Sequence, residues 1–312
     1  MTTAMVLGGS GFLGRHLCTA FAADGWNTVC VSRRPDPVAG ARTVSMDLAE
    51  VRADALAGFF EREQPDVVVN AAGAVWRVDD GRLELSNVVL VKRLTAALAA
   101  SDRKPRLLQL GTVHEYGLAA ARTKFTEKSP SRPVTEYGRT KARATEIVLS
   151  ASLDAVVLRV GNVAGPGTPE GSLLGNVAAS LASSAASGAP AELELPPPTV
   201  WRDYVDVRDV VRAVLAAAAA PAGGRIINVS RGQAVRVREL VAHLVAVSGA
   251  PARIVGQPAT RRETWQEADI TAARELLGWQ PRHDLADSIR TLWAVLHRGS
   301  SSRQEASAKV RG

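Results

Sequence analysis

The sequence predicts an α/β protein: a doubly wound parallel sheet with a smaller C-terminal substrate lobe. Three observations carry that reading. The chain opens on a short apolar segment, then Gly8-Gly9-Ser10-Gly11-Phe12-Leu13-Gly14, then an amphipathic stretch over 15–23. That order is strand, glycine-rich turn, helix. Apolar runs then alternate with helical periodicity up to residue 160, the mark of βαβ crossovers and a parallel sheet. Beyond residue 160 the alternation gives way to segments rich in Gly and Pro.

After the opening unit, strands are expected over 27–32 and, more weakly, 42–46. A helix over 48–63 ends before Pro65, and Asp66-Val67-Val68-Val69-Asn70 reads as a buried strand. Helices follow over 81–100 and 134–152, with strands over 106–111 and 155–160. The second half predicts helices over 172–187, 207–220, 236–248, 271–277 and 285–296, with one returning strand over 225–229. Residues 1–160 and 205–232 are thus expected to form a dinucleotide-binding domain, with 161–204 and 233–298 as the substrate lobe. Residues 299–312, with few apolar side chains, are expected to be a disordered tail.

The chain has 312 residues, 46% of them hydrophobic, enough for one large α/β unit or two unequal lobes. The net charge is +7, yet Lys and Arg are dispersed and aromatics are only 4%, which argues against nucleic acid; an Arg-rich composition together with a site that attracts anionic substrates is the reading. No run approaches the roughly 20 apolar residues of a membrane span. The first apolar segment is short for a secretory leader and lacks a basic flank. Cys18 and Cys30 fall in a helix and a strand and read as buried thiols, not as a disulfide or metal pair. A cytoplasmic location is expected, and no metal site.

Gly8, Gly11 and Gly14 suit a tight turn, close approach to a pyrophosphate and packing of helix on strand. The helix N-terminus would then face the phosphates. Strand two ends Val31-Ser32-Arg33-Arg34, with no acid to bond a ribose 2′-hydroxyl. Two guanidiniums there suit a 2′-phosphate, so NADPH is expected ahead of NAD. A solvated Arg pair on a surface turn is the plainer reading.

Tyr137 and Lys141 are four residues apart on an expected helix, hence on one face. An ammonium near the phenol is expected to lower its pKa and let it exchange a proton with a carbonyl or alcohol oxygen. Thr112, at the end of the preceding strand, can donate to the same oxygen or simply cap the turn.

With these residues in place the chain resembles the extended short-chain dehydrogenase/reductase family, also called the NAD-dependent epimerase/dehydratase family. The resemblance runs from about Val6 to Leu296. It is carried by the three glycines, Asp47-Leu48, Asn70-Ala71-Ala72-Gly73, Thr112 with Tyr116-Gly117, Tyr137 and Lys141, Arg159 to Pro166, Trp201 to Val207, and Leu277 to Pro281. It implies a Rossmann-type sheet and cofactor contacts from Gly8, Gly11, Phe12, Leu13, Asp47, Leu48, Ala71, Ala72 and Gly73. It implies that Lys141 bonds the nicotinamide ribose. It places Asn162 and Arg202 on a nucleotide-sugar diphosphate, with Arg261 or Arg262 as a further phosphate contact and His114 near the sugar. An ion pair of Arg202 with Asp203 or Asp206 is the competing reading. Homodimers built on helices 81–100 and 134–152 are also implied.

Sugar dehydratases of the family follow the catalytic Thr with Asp and Glu; here Val113 and His114 stand there. Glu115 is expected to point elsewhere in an extended segment. His114 is either an acid or base near the sugar or a structural donor. Ala74-Val75-Trp76-Arg77 loosely resembles deoxysugar ketoreductases of antibiotic pathways. The expectation is an NADPH-dependent reduction of a dTDP-4-keto-6-deoxyhexose. An NAD-dependent nucleotide-sugar 4-epimerase is the alternative in the same class, and a non-catalytic dinucleotide sensor the alternative outside it.

Overall fold

In the computed structural model, residues 2–34, 36–74, 78–256, 258 and 263–296 are described. The expectations for Val75–Arg77, Arg261, Arg262 and the tail lie outside them.

The strands are β1 (Thr3–Leu7), β2 (Asn27–Ser32), β3 (Arg42–Ser45), β4 (Val67–Asn70), β5 (Arg106–Thr112), β6 (Ala155–Val160), β7 (Asn162–Ala164), β8 (Ala191–Leu195), β9 (Trp201–Asp206), β10 (Arg225–Val229), β11 (Ala234–Arg236) and β12 (Ala252–Gly256). The helices are α1 (Phe12–Ala23), α2 (Ala53–Glu63), α3 (Asp80–Glu84), α4 (Leu90–Ala100), α5 (Glu136–Ser150), α6 (Leu173–Ser187), α7 (Val207–Ala219), α8 (Val237–Ser248), α9 (Thr271–Leu277) and α10 (285–296).

Seven strands form one sheet in the order β10-β6-β5-β4-β1-β2-β3, with every pairing parallel. β1, β4 and β6 are buried at every residue. Helices on both faces leave such strands no wet side, hence their unbroken apolar runs. One core layer sets Leu17 and Phe21 of α1 and Val210 and Val214 of α7 against the sheet. The other sets Leu56 and Phe60 of α2 and Leu94 and Leu98 of α4 against it. Truncating such a leucine to Ala costs about 2–5 kcal/mol.

Strand order reverses at β1, between β2 and β4. There the loops leaving β1 and β4 meet. A Cβ on Gly8, whose φ is +77°, would lie 2.8 Å from Ala72 Cα. A ligand crevice is expected at such a switch point.

The sequence missed β7, β8, β9, β11 and β12. They build a three-stranded sheet, β11-β9-β7, and a two-stranded one, β12-β8. A third core joins them, with Leu174, Leu181, Leu193, Leu240, Leu244 and Leu292. These strands are short and pair across long sequence gaps, so little in the local sequence announces them, although β8 alternates apolar and charged residues with the period of a half-buried strand. Helix starts also moved. Residues 48–50 form a turn in which Asp47 Oδ1 accepts from Ala49 N, and α2 begins only at Ala53, after an extended Arg52. Thr135 caps α5 by accepting from Gly138 N, so that helix begins at Glu136. The helix expected over 81–100 contains a π-helical turn, Leu85–Val89.

Candidate active site

The glycine-rich turn is a cradle of backbone. A Cβ on Gly14 would sit 2.1 Å from Gly8 O, and one on Gly11 would sit 3.1 Å from it. Gly11 is the N-cap of α1 and supplies no side-chain cap. The first N–H groups of the helix are therefore left to a ligand, and the dipole favours an anion. These features fit a pyrophosphate. Phe12 and Leu13 open α1, half-buried beside the turn.

Arg33 and Arg34 follow β2, both exposed, and neither side chain has a partner among the described residues. Asp47 is exposed and Leu48 buried at the end of β3. Ala71, Ala72 and Gly73 leave β4, where Asn70 Oδ1 accepts from Ala72 N. Asn87, which the sequence reading missed, holds the next residue: its amide accepts from Ala74 N and donates to Ala74 O and to Thr140 Oγ1. It lies on the π turn, buried to 2% exposure. A polar residue inside an apolar helical stripe was the available signal, and π turns recur at functional sites.

Thr112, Tyr137 and Lys141 converge at the C-terminal end of β5. Thr112 accepts from His114 N at 3.3 Å and so caps the turn, and its hydroxyl lies near enough to Tyr137 to favour the phenolate. Lys141 is buried, and its ammonium donates to the Leu110 carbonyl. The expected lowering of the phenol is not found. Burial pushes Tyr137 up to about 12, with Glu115 adding to the rise, whereas burial draws Lys141 down to about 8. The ammonium is spent on a backbone carbonyl and does not offset the desolvation of the phenol.

The segment after Thr112 is a 3-10 turn, Val113–Glu115, and not extended. Glu115 does point away from the cleft, for a different reason than alternation. It is fully buried, accepting from Thr112 N, Thr145 Oγ1 and Arg159 Nε. Arg159 in turn lies 4.3 Å over the Tyr116 ring. This network fixes the Thr112 turn against β6 and α5.

On the other side of the cleft, Asn162 opens β7 and Arg202 lies on β9. Arg202 pairs with neither Asp203 nor Asp206. It donates to Trp201 O and to Thr264 O and Oγ1. Asp203 instead accepts from the N–H groups of Arg231, Gly232 and Ala268. Asp206 pairs with Arg208. His114 bridges the two sides: its ring lies 6.0 Å from that of Tyr137, and its Nε2 is 3.4 Å from Asn162 Oδ1. Among the described residues no cluster could hold a metal ion, and no helix is long and apolar enough to cross a membrane.

Residues 4–230 match the NAD dependent epimerase/dehydratase family. The chain belongs to this family. It is an NAD(P)-dependent enzyme of the extended short-chain dehydrogenase/reductase type with a Rossmann-type fold. It is 44% identical over 299 residues to a dTDP-6-deoxy-L-talose 4-dehydrogenase (NAD(P)(+)) of Kitasatospora kifunensis, covering 93% of this chain and 94% of that one. Among solved structures it is similar to RMD from Pseudomonas aeruginosa complexed with NADPH, at TM-score 0.81 and 25% identity over 96% of this chain and 100% of that one. It is also similar to MoeE5 in complex with UDP-glucose and NAD, at TM-score 0.83 and 26% identity over 96% and 99% of the two chains.

Proposed function

We propose that the protein is a ketoreductase that uses NADPH to reduce the C4 keto group of a dTDP-linked 4-keto-6-deoxysugar. The observation that carries the reading is the convergence of Thr112, Tyr137 and Lys141 at the end of β5. The Kitasatospora relative supports the choice of sugar, since its name describes oxidation of C4 of a dTDP-6-deoxyhexose, the same redox couple run backwards.

When bound, the nicotinamide supplies the hydride. Tyr137, at about 12, stays protonated at neutral pH and is a ready proton donor to the C4 oxygen. Thr112 holds that oxygen beside the phenol. Lys141 anchors the nicotinamide ribose, Gly8, Gly11 and the start of α1 hold the pyrophosphate, and Arg33 with Arg34 receives the 2′-phosphate. Arg202 faces the sugar diphosphate, where a planar guanidinium matches phosphate oxygens, whereas both N–H groups of the Asn162 amide are taken by Asp203 O and Gln266 Oε1.

NADPH deuterated at the transferred position distinguishes this from the 4-epimerase reading, which the NAD complex of MoeE5 keeps in play. A ketoreductase delivers one deuterium, as deuteride, to C4 of the product and consumes NADPH stoichiometrically. Inversion at C4 with tightly held NAD and no label uptake would mean epimerase; dinucleotide binding with no turnover on any keto-sugar would mean a sensor.

A further inference from the structure

His114 stands at the wall of the cleft, and a chain of amides behind it decides where its proton sits. Gln266, buried to 1% exposure, has its Nε2 facing the carbonyls of Val113 and Gly117 at 3.4 and 3.3 Å. Backbone carbonyls only accept, so the Gln266 amide nitrogen must donate to them. Its Oε1 is then the acceptor for Asn162 Nδ2 at 3.3 Å. Asn162 Nδ2 also donates to the Asp203 carbonyl at 3.1 Å. Asn162 Oδ1 is therefore the atom left facing His114, and the imidazole must donate through Nε2.

Burial, reinforced by the positive charge of Arg202, lowers the pKa of His114, so the ring is neutral at physiological pH. A neutral ring that donates from Nε2 carries its lone pair on Nδ1. That atom has no partner among the described residues and is not sealed from solvent. The imidazole and phenol rings lie 6.0 Å apart at an angle of 65°, which sets the His114 ring beside the proton donor.

Resting on the ketoreductase reading, we propose that Gln266 and Asn162 lock His114 as its Nε2–H tautomer, so that Nδ1 accepts a hydrogen bond from a sugar hydroxyl beside the reacting carbonyl. His114 is then a specificity-determining residue that selects sugars with a hydroxyl there over their deoxy counterparts. Gln266 is a positioning residue acting through Asn162.

Two measurements on the full chain test this. Long-range proton–nitrogen NMR of the wild-type imidazoles, with His114→Phe to assign the signal, is expected to show Nε2 protonated in His114 at pH 7.5. Gln266→Leu is expected to yield a mixture of the two neutral tautomers. In steady-state reduction, His114→Phe is expected to lower kcat/KM for a dTDP-4-keto-6-deoxyhexose bearing the neighbouring hydroxyl by about 10- to 100-fold, the scale of one buried hydrogen bond. The analogue lacking that hydroxyl should change by no more than about twofold on the same scale. An Nδ1–H tautomer or an imidazolium in the free enzyme overturns the inference, as does equal loss on both sugars or loss on neither. Failure of the wild type to reduce either sugar overturns the reaction reading instead, and the tautomer spectrum, which needs no substrate, then decides the inference.

Discussion

The two sides of the cleft are built on different plans. The cofactor side is backbone and near neighbours: Gly8, Gly11 and Gly14 shape one turn, and Tyr137 and Lys141 lie one helical turn apart on α5. The sugar side is assembled from side chains far apart in the chain. Asn162, Asp203, Thr264 and Gln266 meet across β7, β9 and the segment preceding α9. A site of the first kind tolerates little change in the turn and owes its chemistry to two or three groups. A site of the second kind depends on whether distant polar groups satisfy one another.

The largest effect is expected on the cofactor side. Tyr137→Phe should lower turnover by about 10²–10⁴-fold, the usual scale for a positioned acid, while fluorescence titration shows NADPH bound almost as before. Near wild-type turnover would remove Tyr137 as proton donor.

Lys141 sharpens the comparison through pH. An ammonium with its pKa drawn down to about 8 is charged below that pH and neutral above it. Reductive kcat/KM should therefore hold through neutrality and fall as pH rises past about 8, since Tyr137 remains protonated well beyond. Lys141→Arg keeps its charge and should move the falling limb to higher pH. An unmoved limb would assign it to another group.

On the sugar side, Asp203→Asn replaces a carboxyl group whose two oxygens take three backbone N–H groups. Leaving one of those donors unpaired should cost about 1–3 kcal/mol in chemical denaturation, with the Michaelis constant for NADPH little changed. A stable protein with impaired cofactor binding would invert the comparison.

The smallest effect belongs to Arg33→Ala. Loss of one exposed guanidinium should raise the Michaelis constant for NADPH and leave that for NADH unchanged, narrowing the selectivity. Unchanged selectivity would return Arg33 and Arg34 to the role of a solvated surface pair.

The same contrast explains what was legible in the sequence. The opening turn, β2, β6, β10 and the Tyr137–Lys141 pair are local patterns, so period and spacing reveal them. The returning strand β10 was found because its apolar run is bounded by turn residues. In β9 Arg202 and Asp203 interrupt any such run, whereas β8 carries a legible alternation of Ala191, Leu193 and Leu195 with Glu192 and Glu194 that the reading of apolar runs passes over. Gln266 and Glu115 gave no signal, since only the fold reveals that a polar side chain is buried and what it bonds. The tuning of Tyr137 was misjudged for a related reason. Spacing puts Lys141 on the right face of α5, but the ammonium's actual partner, the Leu110 carbonyl, comes from β5.

A crystal structure of the enzyme with NADPH and a dTDP-hexose is the most direct measurement. The Tyr137 hydroxyl is expected beside the nicotinamide, with Thr112 on the same sugar oxygen and the Lys141 ammonium on the nicotinamide ribose. A phenol remote from the ring, or a cleft in which the sugar lies away from Thr112 and Tyr137, would contradict it.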